Sequence, residues 1–303
     1  MSKRTSRKSP GGSTKREGAS LDAERQNDST VFYVYCIGER ATLTPLFAGE
    51  LPPSIEDAST LEAIGGGGSL AAIVSAVAAS DYDERMLEAH LTDPRWTAAR
   101  VMRHEQVVEF FASRASVVPL RFGTIYLRRE RIEQMLSERR QELRRILARL
   151  DGREEWGVNL FYDRETLKEK IPTASPRLRE LTEQAEQASP GQAYLMRKKL
   201  DALRADEMRA ELKRASARVE RGLAETAEGA ARLRVLKGET AEHGEVAAKL
   251  AFLVARDGFD KFRDAASRLA AEHAPLGFRI ELTGPWPAYN FTSNDERGTR
   301  NAE

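Results

Sequence analysis

Histidine and cysteine side chains are the first candidates for chemistry in this sequence, because they bind metals and histidine transfers protons near neutral pH. His104-Glu105 begins like a zinc-binding H-E-x-x-H helix, but Val108 stands where the second histidine is needed. A lone helical histidine of this kind is typical of a surface group or a satisfied core group. The remaining candidates have no further ligand at metal-binding spacing: Cys36, His90, His243 and His273. The sequence therefore predicts no metal site, no cofactor and no catalytic residue.

A run of four glycines, Gly65–Gly68, has the composition of a loop that approaches a bound anion. Together with Ala71 it matches the G-x-G-x-x-A spacing of a dinucleotide site. Such a site needs a buried strand before the glycines and a helix after them, whereas Ser59–Ile64 is helix-like and Leu70–Val77 favours a strand. We interpret the run as a flexible turn. An enzyme or ligand-binding protein with an anion site near Gly65–Gly68 and Arg121 stays an alternative.

Two short stretches carry the most information about function. VVPLRFGT over 117–124 places the charge of Arg121 among apolar residues, where it needs a carboxylate or carbonyl partners. LTGPWPAYNF over 282–291 holds Trp286 between two prolines and supplies a rigid aromatic cluster with two polar tips. Each stretch either closes a core or forms an interaction surface. The candidate interaction residues are Pro119, Arg121, Phe122, Gly123, Thr124, Gly284, Pro285, Trp286, Pro287, Tyr289, Asn290 and Phe291.

The charge balance argues against two classes of protein. The 303 residues include 48 Lys and Arg against 47 Asp and Glu, a net charge of +1. Dedicated nucleic-acid binders show a basic excess and halophilic proteins an acidic one. The first sixteen residues hold six basic side chains and no acid, and residues 1–29 are too polar to fold alone, so a basic-tailed nucleic-acid adaptor stays only a remote alternative. The single cysteine fits a reducing cytoplasm, and no apolar run reaches the roughly 18 residues of a membrane-spanning helix.

Hydrophobic periodicity predicts an alternation of strands and helices in the first half. Strands are expected over Val31–Ile37, Leu70–Val77 and Val117–Tyr126, because β-branched and aromatic residues dominate them. A short extended piece is expected over Pro45–Gly49. Helices are expected from Pro94, capped by Asp93, to about residue 115, and from Arg128 to Leu150.

The second half repeats this order. Strands are expected over Trp156–Tyr162, Arg232–Leu236, Val246–Ala255 and Phe278–Leu282. Helices are expected over 192–223 and Phe259–His273, the first with a thin apolar stripe that includes Leu195 and Leu200. The class is therefore α+β, with two ferredoxin-like domains joined by long helices. The predicted divisions are a disordered basic tail 1–29, a first domain 30–127, a connecting helix 128–152, a second domain 153–292 with a helical insertion at about 173–225, and a polar tail 293–303.

The two informative stretches also carry a resemblance. The segment HEQVVEFF from His104, followed by VVPLRFGT, and the terminal LTGPWPAYNF are similar in order and spacing to the gas vesicle accessory family GvpL/GvpF. The strand over Val34–Ile37, the strand that begins at Trp156 and the helix that begins at Phe259 resemble that family too. The likeness covers about Val31 to Phe291.

This resemblance implies a protein of gas vesicle formation that is not an enzyme. Family members have two α+β domains, the first a modified ferredoxin-like unit. The implied partners are the small hydrophobic shell protein and other accessory proteins during the initiation of assembly. No membrane partner is expected, and nucleic acid stays only the remote alternative named above. The implied location is the gas vesicle within the cytoplasm.

Overall fold

The computed structural model describes residues 30–82, 84–236, 238–241 and 244–292. The chain divides into two compact units, one up to Leu143 and the other from Arg144 onward. The predictions for the tails 1–29 and 293–303, and for His243, lie outside the described residues. Over the part of the chain that is described, no helix is both long and apolar enough to cross a membrane.

The first unit begins with a central strand whose residues 31–38 are all buried, as expected for a strand covered on both faces. Cys36 lies in this strand and is buried, as its sequence context predicts. The elements of this unit are β1 (Thr30–Glu39), α1 (Arg40–Leu43), β2 (Leu61–Gly65), β3 (Leu70–Ala78), α2 (Ala79–Tyr82), α3 (Glu84–Leu91), α4 (Pro94–Ala112), β4 (Val117–Pro119), β5 (Ile125–Tyr126), α5 (Arg129–Glu138) and α6 (Arg140–Leu150), which runs across the division between the units.

The sheet of the first unit has the order β2-β3-β1-β4, and all neighbouring strands are antiparallel. Strand β5 pairs with β1 beside β4. Helix α4 begins where the sequence predicts, because the Asp93 carboxylate accepts hydrogen bonds from the backbone N–H groups of Arg95 and Trp96 at 2.9 and 3.3 Å.

Four local predictions in this unit are corrected. Ser59–Ile64 is not helical, because pairing with β3 draws residues 61–65 into β2. The piece expected to be extended over Pro45–Gly49 is a 3-10 helix, Thr44–Ala48, with proline in its first turn, where no N–H is needed. The strand expected over 117–126 is two short strands around a turn. The connecting helix breaks at Arg139, a break that no proline or glycine marks in the sequence.

The second unit contains a second four-stranded path, whose first two strands are joined by longer helices. Its elements are β6 (Arg153–Tyr162), α7 (Arg164–Ala174), α8 (Pro176–Glu186), α9 (Pro190–Ala224), β7 (Gly229–Leu233), β8 (Thr240–Ala241), β9 (Gly244–Ala255), α10 (Phe259–His273) and β10 (Phe278–Trp286). The sheet order is β10-β6-β9-β7, again with antiparallel neighbours, and β8 pairs with β9.

One face of this sheet forms the core with the helices. Val158 and Leu160 of β6 and alternate residues of β9 pack with Val219 of α9 and Phe262 of α10 in one hydrophobic cluster. Helix α9 buries its stripe only in part, since Leu195 at its start is 60% exposed. The mixed α+β class is confirmed. The closer description as ferredoxin-like stays a prediction, which the two strand orders support.

Candidate functional site

The motif of the first unit forms a turn between two short strands on one edge of β1. Pro119 pairs with Cys36 at the end of β4. Beyond it, the N–H of Leu120 donates to the Tyr35 carbonyl at 2.9 Å, so the chain stays attached to β1. The turn closes where the N–H and hydroxyl of Thr124 donate to the Arg121 carbonyl at 3.2 and 2.7 Å. Residues 119–124 are therefore held by the backbone.

Gly123 is the residue that makes this turn possible. Its φ is +81°, in the left-handed region that favours glycine. A strand-forming side chain at this position would oppose that conformation, and this explains why the predicted continuous strand is interrupted here.

The buried side chain of His104 supports the turn through hydrogen bonds. His104 on α4 contacts the Leu120 carbonyl through Nε2 at 3.1 Å and the Tyr33 hydroxyl through Nδ1 at 2.9 Å. A carbonyl only accepts, so Nε2 carries the proton and Nδ1 accepts from Tyr33. The Tyr33 hydroxyl in turn accepts from the N–H of Gly123 at 3.1 Å. The hydrogen bonds therefore run from the Gly123 N–H through Tyr33 and His104 to the Leu120 carbonyl, so that both ends lie within the motif.

This arrangement requires an uncharged imidazole. Burial lowers the pKa of His104 to about 4, although the hydrogen bond with the Leu120 carbonyl acts in the opposite direction. Burial also raises the pKa of the Tyr33 hydroxyl, which stays protonated and able to donate. His104 is thus a satisfied core histidine with a structural role. The sequence placed it just before the motif but contained no signal that it contacts Tyr33.

The two side chains at the tip of the turn have different surroundings. The Phe122 ring lies edge-on to Tyr33 and His104, with centroids 6.1 and 5.9 Å apart. The Arg121 side chain is exposed, and among the described residues it has no hydrogen-bond or ion-pair partner. The expectation that the fold supplies Arg121 with a carboxylate or carbonyl partners is not met in this part of the chain.

The motif of the second unit lies at the end of β10. The pairing with β6 shifts register between Thr283 and Trp286, so that Trp286 stands opposite Glu155. Gly284 has φ +124° and a cis peptide bond to Pro285. The Trp286 indole N–H donates to the Thr283 hydroxyl at 3.2 Å.

A buried carboxylate holds the segment that follows. Both Glu155 oxygens accept from Asn290, one from its backbone N–H at 3.0 Å and the other from its side-chain amide at 2.6 Å. Burial raises the pKa of Glu155, and the two hydrogen bonds from Asn290 act in the opposite direction. Sequence reasoning missed Glu155, because its partner lies 135 positions away and no local pattern links them.

The three aromatic residues of this motif lie in different environments. Phe291 is buried and its ring is packed so close to Gly229 that a side-chain carbon there would lie 2.9 Å from it. Tyr289 is partly buried, whereas Trp286 is 54% exposed. Phe291 therefore closes the core of its unit, and Trp286 presents a large apolar ring to solvent.

The glycine run forms the turn between β2 and β3, as expected, but it is closely packed. The guanidinium groups nearest to it belong to Arg40 and Arg140, not to Arg121. Within the described residues no group of three or more His, Cys, Asp and Glu side chains could hold a metal ion.

Comparison with known proteins identifies the family. Residues 31–293 match the family model of the gas vesicle synthesis protein GvpL/GvpF. Gas vesicle protein L of a Streptomyces species is 29% identical over 228 residues, which cover 74% of this chain and 80% of that protein. Gas vesicle protein L2 of Halobacterium salinarum is 23% identical over 265 residues, or 86% of this chain and 90% of that protein.

Solved structures show the same fold. The crystal structure of the gas vesicle protein GvpF from Anabaena sp. superposes with a TM-score of 0.62 at 15% identity, covering 90% of this chain and 100% of that chain. GvpF from Microcystis aeruginosa superposes with a TM-score of 0.58 at 16% identity, covering 87% and 99%. The family match extends through both units and both motifs, and the chain therefore belongs to the gas vesicle synthesis protein family GvpL/GvpF.

Proposed function

We propose that this chain is a non-enzymatic assembly factor that binds the small hydrophobic shell protein, and other accessory proteins, when gas vesicle assembly begins in the cytoplasm. Its family is one of gas vesicle accessory proteins and is not a known enzyme family. The observation that carries the proposal is the exposure of Trp286 at the end of a strand whose neighbours are held in place.

An apolar partner can cover Trp286 without leaving a polar group unsatisfied. The indole N–H already donates to Thr283, so burying the ring removes apolar surface from water and breaks no hydrogen bond with solvent. The backbone beside it is fixed by pairing with Glu155, so little conformational freedom is lost on binding. Such pre-positioned tryptophans are frequent anchors of protein interfaces.

A shell subunit is the partner that this chemistry fits. A wall that faces gas needs an apolar surface, and that surface aggregates in water until it is assembled. A protein that covers part of it before assembly needs exposed apolar groups of its own. Trp286 supplies one, and the exposed Arg121 of the first unit supplies a guanidinium that is free, within the described residues, to bind a carboxylate or carbonyl of a partner.

Co-purification with the shell protein tests this proposal. We expect W286A to lower capture roughly tenfold, which corresponds to the loss of one buried aromatic anchor. Y194A is the matched control, because Tyr194 is an aromatic residue that is 58% exposed on α9 and lies outside the motif. R121A is compared with R95A, which removes another exposed arginine of the first unit.

All four variants are first checked for unchanged thermal unfolding. Capture that is the same for W286A and Y194A, with both folded, would show that the motif serves the fold alone. Deletion of the gene should abolish flotation of the cells, and full buoyancy without it would contradict a role in vesicle formation.

A further inference from the structure

Two guanidinium groups lie against the glycine run, those of Arg40 and Arg140. A β-carbon added to Gly65 would lie 1.4 Å from Nη2 of Arg40, and one added to Gly68 would lie 2.8 Å from Nη2 of Arg140. In this arrangement both guanidinium groups occupy space that a side chain on Gly65 or Gly68 would need. A turn alone does not need four consecutive glycines, whereas the close approach of the two arginines accounts for glycine at positions 65 and 68.

Neither guanidinium has a partner among the described residues. The side chains of Arg40 and Arg140 make no hydrogen bond or ion pair there. Neighbouring arginines differ: Arg129 pairs with Glu62 at 2.5 Å, and Arg139 holds Glu142 through two bonds of 2.9 Å. The adjacent arginines are thus paired with carboxylates, whereas the guanidinium donors of Arg40 and Arg140 stay free among the described residues.

The loop that presents these groups is fixed in place. The backbone N–H of Arg40 donates to the Ser69 carbonyl at 2.6 Å. Gly66 lies against α5, so close that an added β-carbon would be 2.6 Å from the Glu133 carbonyl oxygen. Gly67 turns the chain with a φ of +68°. A ligand would therefore meet a preformed site rather than order a loose loop.

A cavity of about 510 Å³ opens beside the run. Its lining contains one cation, two hydroxyl groups and small residues, and it has no acidic side chain: Arg40, Ala41, Thr44, Pro45, Gly68 and Ser69. Gly68 connects the cavity with the second arginine, since it lines the cavity with Arg40 and also contacts Arg140. The volume is that of a small-molecule site.

We propose that this cavity binds a phosphate-bearing small molecule, whose phosphate oxygens are held by Arg40 and Arg140. Two guanidinium forks match the geometry of phosphate oxygens, and hydroxyl groups such as those of Thr44 and Ser69 complete such a shell. The site lies in the first unit and does not depend on the role of Trp286.

Isothermal titration of the full chain with inorganic pyrophosphate at constant ionic strength tests this proposal. We expect saturable binding that R40Q/R140Q weakens roughly tenfold or more, because two charge-assisted contacts are lost while a polar side chain is kept at each position. R95Q, at an exposed arginine away from the run, should bind like the unsubstituted chain, and so should W286A.

A second variant makes the test independent of the arginine substitutions. G65A places a methyl group where the Arg40 guanidinium lies, so it should weaken pyrophosphate binding while both arginines remain. Titration with ATP shows whether a nucleotide or a free polyphosphate is preferred, and both fit the site. Absence of saturable pyrophosphate binding, unchanged binding by R40Q/R140Q, or citrate binding as tight as pyrophosphate would overturn the phosphate assignment.

Discussion

The two units share a strand order and differ in what connects their strands. Without the two-residue strands β5 and β8, each unit has four strands. The first of them lies between the third and the fourth along the sheet, and the second lies at the edge. A four-residue helix and a 3-10 helix join β1 to β2, whereas three helices spanning Arg164 to Ala224 join β6 to β7. The common sheet tolerates this difference because the connection runs outside the strand ladder.

The informative motifs occupy equivalent places in the two units. Each lies at the end of the fourth strand, β4 or β10, which pairs antiparallel with the first strand of its own unit. Buried titratable side chains hold each motif: His104 with Tyr33 in the first unit, and Glu155 in the second. The difference is chemical, since His104 must stay uncharged to make its bonds, whereas the bonds to Glu155 favour its charged form.

The largest expected effect comes from removing His104. H104A leaves the Leu120 carbonyl and the Tyr33 hydroxyl without their partner and opens a cavity, which should lower the unfolding free energy of the first unit by about 4 kcal/mol. Urea titration followed by Trp96 fluorescence, in a W156F/W286F background, measures this. H90A is the control, since His90 is only partly buried against Trp96 and its loss should cost less than about 1 kcal/mol. Equal effects of the two substitutions would contradict the supporting role of His104.

Acidification from about pH 7 to about pH 5 should change the folding stability of the two units in opposite directions. His104 has its pKa lowered to about 4, so the unfolded chain takes up a proton that the folded unit does not. The first unit therefore loses stability as the pH falls below the ordinary histidine value, by up to about 3 kcal/mol when pH 4 is reached. Glu155 has its pKa raised, so the folded second unit holds a proton that the unfolded chain releases, and acidification stabilises it.

Fluorescence separates the two responses, because Trp96 reports the first unit and Trp156, in a W96F/W286F variant, reports the second. The pKa of Glu245 in the second unit is lowered to about 2 by its hydrogen bonds with Arg164 and Tyr162. The stability that these bonds contribute is therefore lost at a lower pH than the range compared here. A loss of stability in both units between pH 7 and pH 5 would break the proposed contrast.

The smallest of these effects should follow from N290A. The substitution removes the 2.6 Å bond from the side-chain amide to Glu155 but keeps the bond from the backbone N–H, so we expect a loss of about 2 kcal/mol in the second unit. The pKa of Glu155 should rise further, because a bond that favours its charged form is gone. Urea titration read by Trp156 measures the change. A double-mutant cycle with E155Q isolates the pair, and additive losses would show that the two residues do not act together.

Local sequence patterns correctly predicted the helices that are defined by a cap or by a clear apolar periodicity. Asp93 caps α4, and the helix over Phe259–His273 has the predicted bounds, because capping chemistry and helical periodicity act over a few residues. The same reasoning failed at Ser59–Ile64, where pairing with β3 overrides local preference. It also failed at Arg139, where a helix ends without a proline or glycine.

The site was predicted only as two stretches of sequence. Nothing in the spacing indicated that Trp286 is exposed while Phe291 is buried, since both are large aromatic residues of one motif. Nor did it indicate that Arg40 and Arg140, a hundred positions apart, approach one glycine run. Exposure and distant contacts depend on how elements pack, and local spacing does not encode that.

By itself, the sequence determined the α+β class, the repeated order of strands and helices, and the two motifs that carry the family resemblance. These follow from periodicity, turn residues and unusual local composition. The tertiary structure decided what the motifs do in the fold: His104 supports the first through Tyr33, and Glu155 supports the second through Asn290. Such buried polar contacts form only when distant segments meet in a place that excludes water, so they belong to the folded chain and not to any segment of it.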